Sequence, residues 1–165
     1  MPLLKKVCML GSFAVGKTSL VRRYITGYFA DTYLTTVGVK IDNKLVGTGE
    51  DEVKLVLWDL AGDDAFQNIQ WKYMNGAAGY VLVADGTRAA TLAKAEELEQ
   101  GMRQEFGMKP FVFLINKSDR RTEWELEAAW QDGLAARGWD ILHTSAKTGE
   151  GVEEAFGKLT AKMRL

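Results

Sequence analysis

Apolar residues run along this chain in two rhythms. Val7-Cys8-Met9-Leu10, Tyr80-Val81-Leu82-Val83-Ala84 with Asp85 at its end, and Phe111-Val112-Phe113-Leu114-Ile115 are continuous runs, the last two with the pattern of strands buried on both faces of a parallel sheet. Val39–Val46 and Val53–Trp58 instead alternate apolar with polar, and Gly47–Asp51 between them predicts a hairpin loop. Asp140-Ile141-Leu142-His143 predicts a last short strand. Between these runs the period changes to three and four. Leu92, Ala95, Leu98, Met102 and Phe106 predict a helix over 90–106 closed by Gly107, and Val152, Ala155, Phe156, Leu159 and Met163 line one side of a closing helix. A first helix is predicted from Gly16 to Ile25, and Thr122-x-x-Glu125 reads as a capping box opening a helix with Leu126, Trp130 and Leu134 inward. Tyr28–Gly38 and Asp63–Gly76 follow neither rhythm and read as a long functional loop and a partly helical mobile segment.

Strands alternating with helices, joined by connections long enough for crossovers, predict an α/β fold. The expected architecture is a mostly parallel six-stranded sheet with one antiparallel edge strand and about five helices on both faces. The chain of 165 residues is expected to form one domain, 1–165, because it is too short to build two cores. In such sheets ligands sit beyond the carboxyl ends of the strands.

Composition narrows the partners. A net charge of −1 gives no reason to expect nucleic acid or an anionic membrane. The single cysteine, Cys8, lies mid-strand and fits a small buried residue in a reducing cytoplasm. No apolar stretch is long enough to span a bilayer, Met1-Pro2 excludes myristoylation, and Ala161–Leu165 offers no cysteine for prenylation, so a cytoplasmic protein without a direct membrane anchor is expected.

The candidate chemistry begins where the first strand ends. Gly11-Ser12-Phe13-Ala14-Val15-Gly16-Lys17-Thr18 reads G-x-x-x-x-G-K-T between a strand and a helix, the setting of a phosphate-binding P-loop. Gly11 and Gly16 allow a tight turn, and the N–H groups of Phe13, Ala14, Val15 and the helix start through Ser19 are expected to face a polyphosphate. Lys17 would neutralise phosphate oxygens, and the Thr18 hydroxyl would ligate magnesium. Asp59 closes an apolar strand, from which a carboxylate can hold the same ion, and Gly62 could offer its N–H to a γ-phosphate. Asn116-Lys117-Ser118-Asp119 follows a buried strand. A carboxylate there can accept from both the N1–H and the 2-amino group of guanine, whereas adenine would leave it unpaired. Ser145-Ala146-Lys147 follows the last strand, where the Ala146 N–H could reach the guanine O6. Read singly, the first of these passes for a solvated turn and the second for a helix cap; their order after a P-loop favours a guanine pocket. That pocket disfavours an ATP-using P-loop enzyme such as a small-molecule kinase. His143 reads as a strand-end filler, and Trp124, Trp130 and Trp139 as packing.

Along essentially its whole length the chain resembles a Ras-superfamily small GTPase of the Rab-like branch. The resemblance rests on the P-loop, Tyr33-x-x-Thr36-Val37-Gly38, Trp58-Asp59-Leu60-Ala61-Gly62, Asn116-Lys117-x-Asp119 and Ser145-Ala146-Lys147. It implies a G domain that binds GTP or GDP with Mg2+ and acts as a switch. It also implies that Thr36 closes on magnesium and the γ-phosphate, that Phe29 lies against the guanine edge, and that Tyr33 forms a lid over the phosphates. Lys17, Thr36, Gly62 and the residue after that glycine would carry catalysis. Effectors, exchange factors or activating proteins would read Phe29–Gly38, Gly62–Tyr73 and a triad of Ile41, Trp58 and Tyr73, in which Ile41 replaces an aromatic.

Two departures bear on hydrolysis. The family's water-orienting Gln is here Asp63, followed by Asp64. An ionised carboxylate beside a triphosphate is repelled and lacks an amide donor. Where the family keeps a small P-loop residue stands Phe13, whose ring could crowd the γ-phosphate or block an arginine finger, a device worth roughly 10³–10⁵ in rate; alternatively the ring points to solvent or packs on a switch loop. Ala65 and Gln67 stand where switch arginines are usual. The expected activity is therefore GTP hydrolysis that is slow or partner-assisted. The alternative is a nucleotide-locked pseudo-GTPase acting as a protein-binding module.

Overall fold

The computed structural model describes residues 3–26, 39–47, 49–60 and 73–164. Six strands form one sheet: β1 (Leu3–Gly11), β2 (Val39–Val46), β3 (Val53–Leu60), β4 (Gly79–Asp85), β5 (Phe111–Asn116) and β6 (Ile141–Thr144). Their order is β2-β3-β1-β4-β5-β6. Only the β2–β3 pair is antiparallel, with Ile41 opposite Trp58 and Leu45 opposite Lys54. The others pair in parallel, β1 between β3 and β4. The expected α/β architecture is therefore present, with its antiparallel strand at the edge.

Four α-helices lie among the described residues: α1 (Lys17–Thr26), α2 (Ala89–Phe106), α3 (Ala128–Ala136) and α4 (Val152–Met163). Short 3-10 turns occupy Gly49–Asp51 and Ser118–Glu123. Period-2 side-chain alternation divides the core in two. On one face Val7, Met9, Leu55, Val81 and Leu114 pack against Leu20, Val21 and Tyr24 of α1 and Phe156 and Leu159 of α4. Tyr24 and Phe156 stack at 4.0 Å between ring centroids. On the other face Cys8, Leu10, Leu82, Phe113 and Ile115 meet Leu92, Leu98 and Met102 of α2, with Leu134 and Trp139 beyond. Every residue of β4 is buried, which explains its unbroken apolar run. Trp139 meets Phe111 and Phe113 edge-on, and Trp130 meets Phe113, as the packing reading of these tryptophans requires.

The capping box expected at Thr122–Glu125 does not form. Lys117 adopts a left-handed backbone (φ 73°), and residues 118–123 wind into the 3-10 turn instead. Trp124 then lies so close to Gly86 that an added Cβ there would come within 2.3 Å of the indole. Held in that way, the Glu125 carboxylate accepts from the Ala89 N–H at 2.7 Å and caps α2 rather than α3. The third helix starts later, at Ala128, after Glu127. At α4, by contrast, all five residues expected to face inward are buried, and Glu153 and Glu154 occupy its first turn. Cys8 is buried and free, and burial raises its thiol pKa to about 12.

Candidate functional site

The nucleotide-site candidates that the structure describes gather at the carboxyl end of the sheet. There β1 runs through Gly11 into a loop whose path excludes side chains at two points. A Cβ on Gly11 would lie 2.4 Å from the Val83 carbonyl, and Gly16 has φ 106° with its Cβ position 2.2 Å from Asn116 Nδ2. Between them Ala14 also adopts positive φ, 61°. Three successive carbonyls of this loop are held from outside. The Phe13 oxygen accepts from Arg88 Nη2 (2.8 Å), the Ala14 oxygen from Lys117 Nζ (3.4 Å) and the Val15 oxygen from Asn116 Nδ2 (2.9 Å). In a trans peptide the carbonyl and the following N–H point in opposite directions, so these contacts fix the N–H groups of Ala14, Val15 and Gly16 facing the other way. Such a row of inward N–H groups is an anion nest.

Lys17 opens α1 with its side chain folded back over the loop, donating to the carbonyls of Gly11 (3.1 Å) and Ser12 (3.5 Å). Burial lowers its pKa to about 8, against the opposing pull of Asp59. The next residue, Thr18, donates through Oγ1 to Asp59 Oδ2 at 2.5 Å. Burial raises the Asp59 pKa, and the Thr18 hydrogen bond and the Lys17 charge restrain that rise. Asp59 is the penultimate residue of β3, opposite Lys40 and one short of the strand end expected from sequence. A half-buried hydroxyl and a buried carboxylate together form a hard-oxygen pair, suited to a small divalent cation that also takes phosphate and water ligands.

The guanine-type motifs meet at the other end of the cradle. Asn116 ends β5, buried, accepting from Thr144 Oγ1 at 3.2 Å while it grips the loop. Asp119 is exposed, and its Oδ1 accepts from Ser145 Oγ at 2.7 Å, so the two motifs are joined directly. Ser145 Oγ also accepts from the Thr148 N–H (3.0 Å), which holds the Ser145-Ala146-Lys147 turn. Arg23 of α1 supports the same turn from below, donating to the carbonyls of Lys147 (3.3 Å) and Thr148 (3.0 Å).

Sequence reasoning missed the residue at the centre of this arrangement. Asp85, opposite Asn116 in the β4–β5 register, has a side chain 1% exposed. It accepts from the Thr87 N–H (2.9 Å), Thr87 Oγ1 (2.7 Å), Arg88 Nε (3.0 Å) and Lys117 Nζ (2.8 Å). Burial pushes its pKa up, but the bonds from Lys117, Thr87 and Arg88 more than offset that and hold it below the usual carboxylate range. The signal available in sequence was a charge ending a continuous apolar strand, a place where a buried carboxylate requires a partner.

Phe13 is 55% exposed, so its ring faces solvent rather than the core. Ile41 is also exposed, on the sheet face that carries Trp58, and the Trp58 and Tyr73 rings lie 6.2 Å apart at the margin of the second core cluster. Lys6 Nζ lies 3.7 Å over the Trp58 ring. His143 sits on β6 as the filler expected, hydrogen-bonded to Gln131 at 2.9 Å and edge-on to Trp124. Phe29, Tyr33, Thr36, Gly38, Gly62 and Asp63, with the rest of the two weakly patterned segments up to residue 72, lie outside the described residues.

Comparison with known proteins agrees with this geometry. A family model described as the Ras family matches residues 6–165. The Ras-related protein Rab-17 of Mus musculus is 32% identical over 167 residues, covering 98% of this chain and 77% of its own. With the P-loop, the carboxylate and both base motifs converging at one end of the sheet, the chain belongs to the Ras family, as a Rab-like small GTPase.

Proposed function

We propose that the protein is a molecular switch that binds GTP and GDP with magnesium through the cradle described, and that it hydrolyses GTP slowly or with partner help. The observation that carries this reading is the joining of Asp119 to Ser145 across from the buried Lys17, a carboxylate for a base at one end and a cation for phosphates at the other. The loop from Gly11 through Phe13, Ala14, Val15 and Gly16 to Ser19 would wrap the phosphates, with Lys17 charged against them; an adjacent anion reverses the effect of burial on its pKa. Asp119 would read guanine, the Ala146 N–H would meet O6, and Asn116, Lys117, Ser145 and Lys147 would hold that pocket in shape. Thr18 and Asp59 fit magnesium as hard-oxygen donors, with Thr36 as a third ligand. The ion would screen phosphate charge during transfer to water. Phe29 and Tyr33 would cover base and phosphates.

Hydrolysis would depend on Lys17, Thr36, Gly62 and Asp63. Asp63 can accept a hydrogen bond from water but cannot donate one to the phosphate, which is the physical reason for a low intrinsic rate. Binding of the γ-phosphate would order Phe29–Gly38 and Gly62–Tyr73 through Thr36 and Gly62, and partners would read those segments with Ile41 and Trp58. Among the described residues no helix is long and apolar enough to cross a membrane. The setting proposed for this switch is the cytoplasm, where a single unpaired cysteine such as Cys8 is usual.

Single-turnover hydrolysis of preloaded GTP in magnesium tests the proposal, with Asp63→Gln alongside. Restoring an amide at that position should raise the rate about tenfold or more. Equal rates for the two proteins would refute the role given to Asp63. Failure to take up GTP while ATP binds would refute the guanine assignment.

A further inference from the structure

We propose that Arg88 is a positioning residue for the P-loop, aiming the Ala14 N–H at the phosphates by holding the Phe13 carbonyl away from them. The inference rests on the nucleotide-binding reading above and adds a residue that belongs to none of its motifs. Three loop carbonyls are gripped from outside, and two of the grips, Lys117 on Ala14 and Asn116 on Val15, come from the base motif. The third comes from Arg88, in the turn after β4.

The geometry suits that role. The guanidinium forks, with Nε donating to Asp85 Oδ2 at 3.0 Å and Nη2 to the Phe13 oxygen at 2.8 Å. A planar group anchored at one end to a buried carboxylate presents its other donor in a fixed direction, which a flexible ammonium does not. Asp85 is itself fixed by Thr87 and Lys117, so the Arg88 and Lys117 grips share one anchor. Phe13 needs the grip most. Its side chain is largely exposed and offers no core packing to hold the residue, and Ala14 after it adopts positive φ without being glycine. The peptide between them is therefore held chiefly by what touches its carbonyl.

The test compares affinities for GDP and GMP in the full chain. GMP keeps the base and lacks the phosphate that the loop N–H groups would grip, so the ratio Kd(GMP)/Kd(GDP) isolates the loop. Arg88→Ala should lower that ratio about tenfold by releasing one charge-assisted contact, with Arg88→Lys falling between. Arg137→Ala breaks an ion pair with Glu96 and touches neither Asp85 nor the loop, so it should leave the ratio within about twofold of the parent. An unchanged ratio in Arg88→Ala, or an equal fall in Arg137→Ala, would overturn the assignment. Should Arg88→Ala not fold, Arg88→Gln keeps the stem without the fork and reads the same ratio. A parent protein that binds neither GDP nor GMP refutes the nucleotide reading itself before any variant is made.

Discussion

Replacing Asp85 with Asn separates a structural carboxylate from a space-filling side chain of the same shape. Asparagine keeps an acceptor for the two Thr87 bonds but turns an amide toward Arg88 and Lys117 in place of a charge. Two charge-assisted hydrogen bonds are then lost, each worth roughly 1.5–3 kcal/mol. Arg88 and Lys117 are 43% and 30% exposed, so water recovers part of their solvation. The net loss is expected to be about 2–3 kcal/mol, less than for a fully buried pair. Urea unfolding at constant excess GDP measures it, with each protein's GDP affinity determined separately so that the ligand's own contribution can be subtracted. The pH dependence provides a second reading. The Asp85 pKa is lowered from its ordinary value of 3.8, so its stabilising effect is complete above about pH 4. That effect is lost as pH falls through the folded-state pKa. The gap between parent and Asp85→Asn should therefore persist from pH 7 to about 4 and close below it. A gap under about 0.5 kcal/mol at pH 7, or one already gone at about pH 5.5, would refute the account of Asp85 as an ionised hub.

Two further substitutions probe the frame of the site. Gly16→Ala forces a side chain into a positive-φ position and against Asn116, and should weaken GDP binding by about 2–4 kcal/mol as read by displacement of a fluorescent GDP. Glu125→Ala removes the acceptor at the start of α2 and should lower thermal stability by about 1 kcal/mol while leaving GDP affinity unchanged, which separates fold from site.

Much of this molecule was legible because its signals are local. The unbroken run of β4, the alternation of β2 and β3 and the inward stripe of α4 follow from one-dimensional periodicity, and the structure has each of them within a residue or two of the expected bounds. P-loop and base motifs are likewise short words whose order carries meaning. The capping box failed because Thr122 and Glu125 obey a local rule that a tertiary contact overrides: Trp124 docks on Gly86 and carries Glu125 to another helix. Arg88 and Arg23 were not read because their meaning lies in partners far along the chain, whereas Asp85, bonded locally to Thr87 and Arg88, was passed over as the end of an apolar run. Arg23 and Thr148 are 125 residues apart, and Arg88 and Phe13 are 75. No window of sequence contains both members of such a pair.

The central place of β1 has a consequence for how the protein comes into being. The first strand made is the one that lies in the middle of the sheet, so its edges wait for β3 on one side and β4 on the other. The β2–β3 pairing is local and can form early, whereas Val15 meets Asn116 only after 101 further residues, and Asp119 meets Ser145 later still. A growing chain thus carries a P-loop sequence long before it has a P-loop shape. Until β3 and β4 emerge, the flanks of β1 remain open to wrong pairing, the condition in which chaperones find their clients. The cradle therefore takes shape late: its base end exists only once Asp119 and Ser145 have met, however early the P-loop sequence is made.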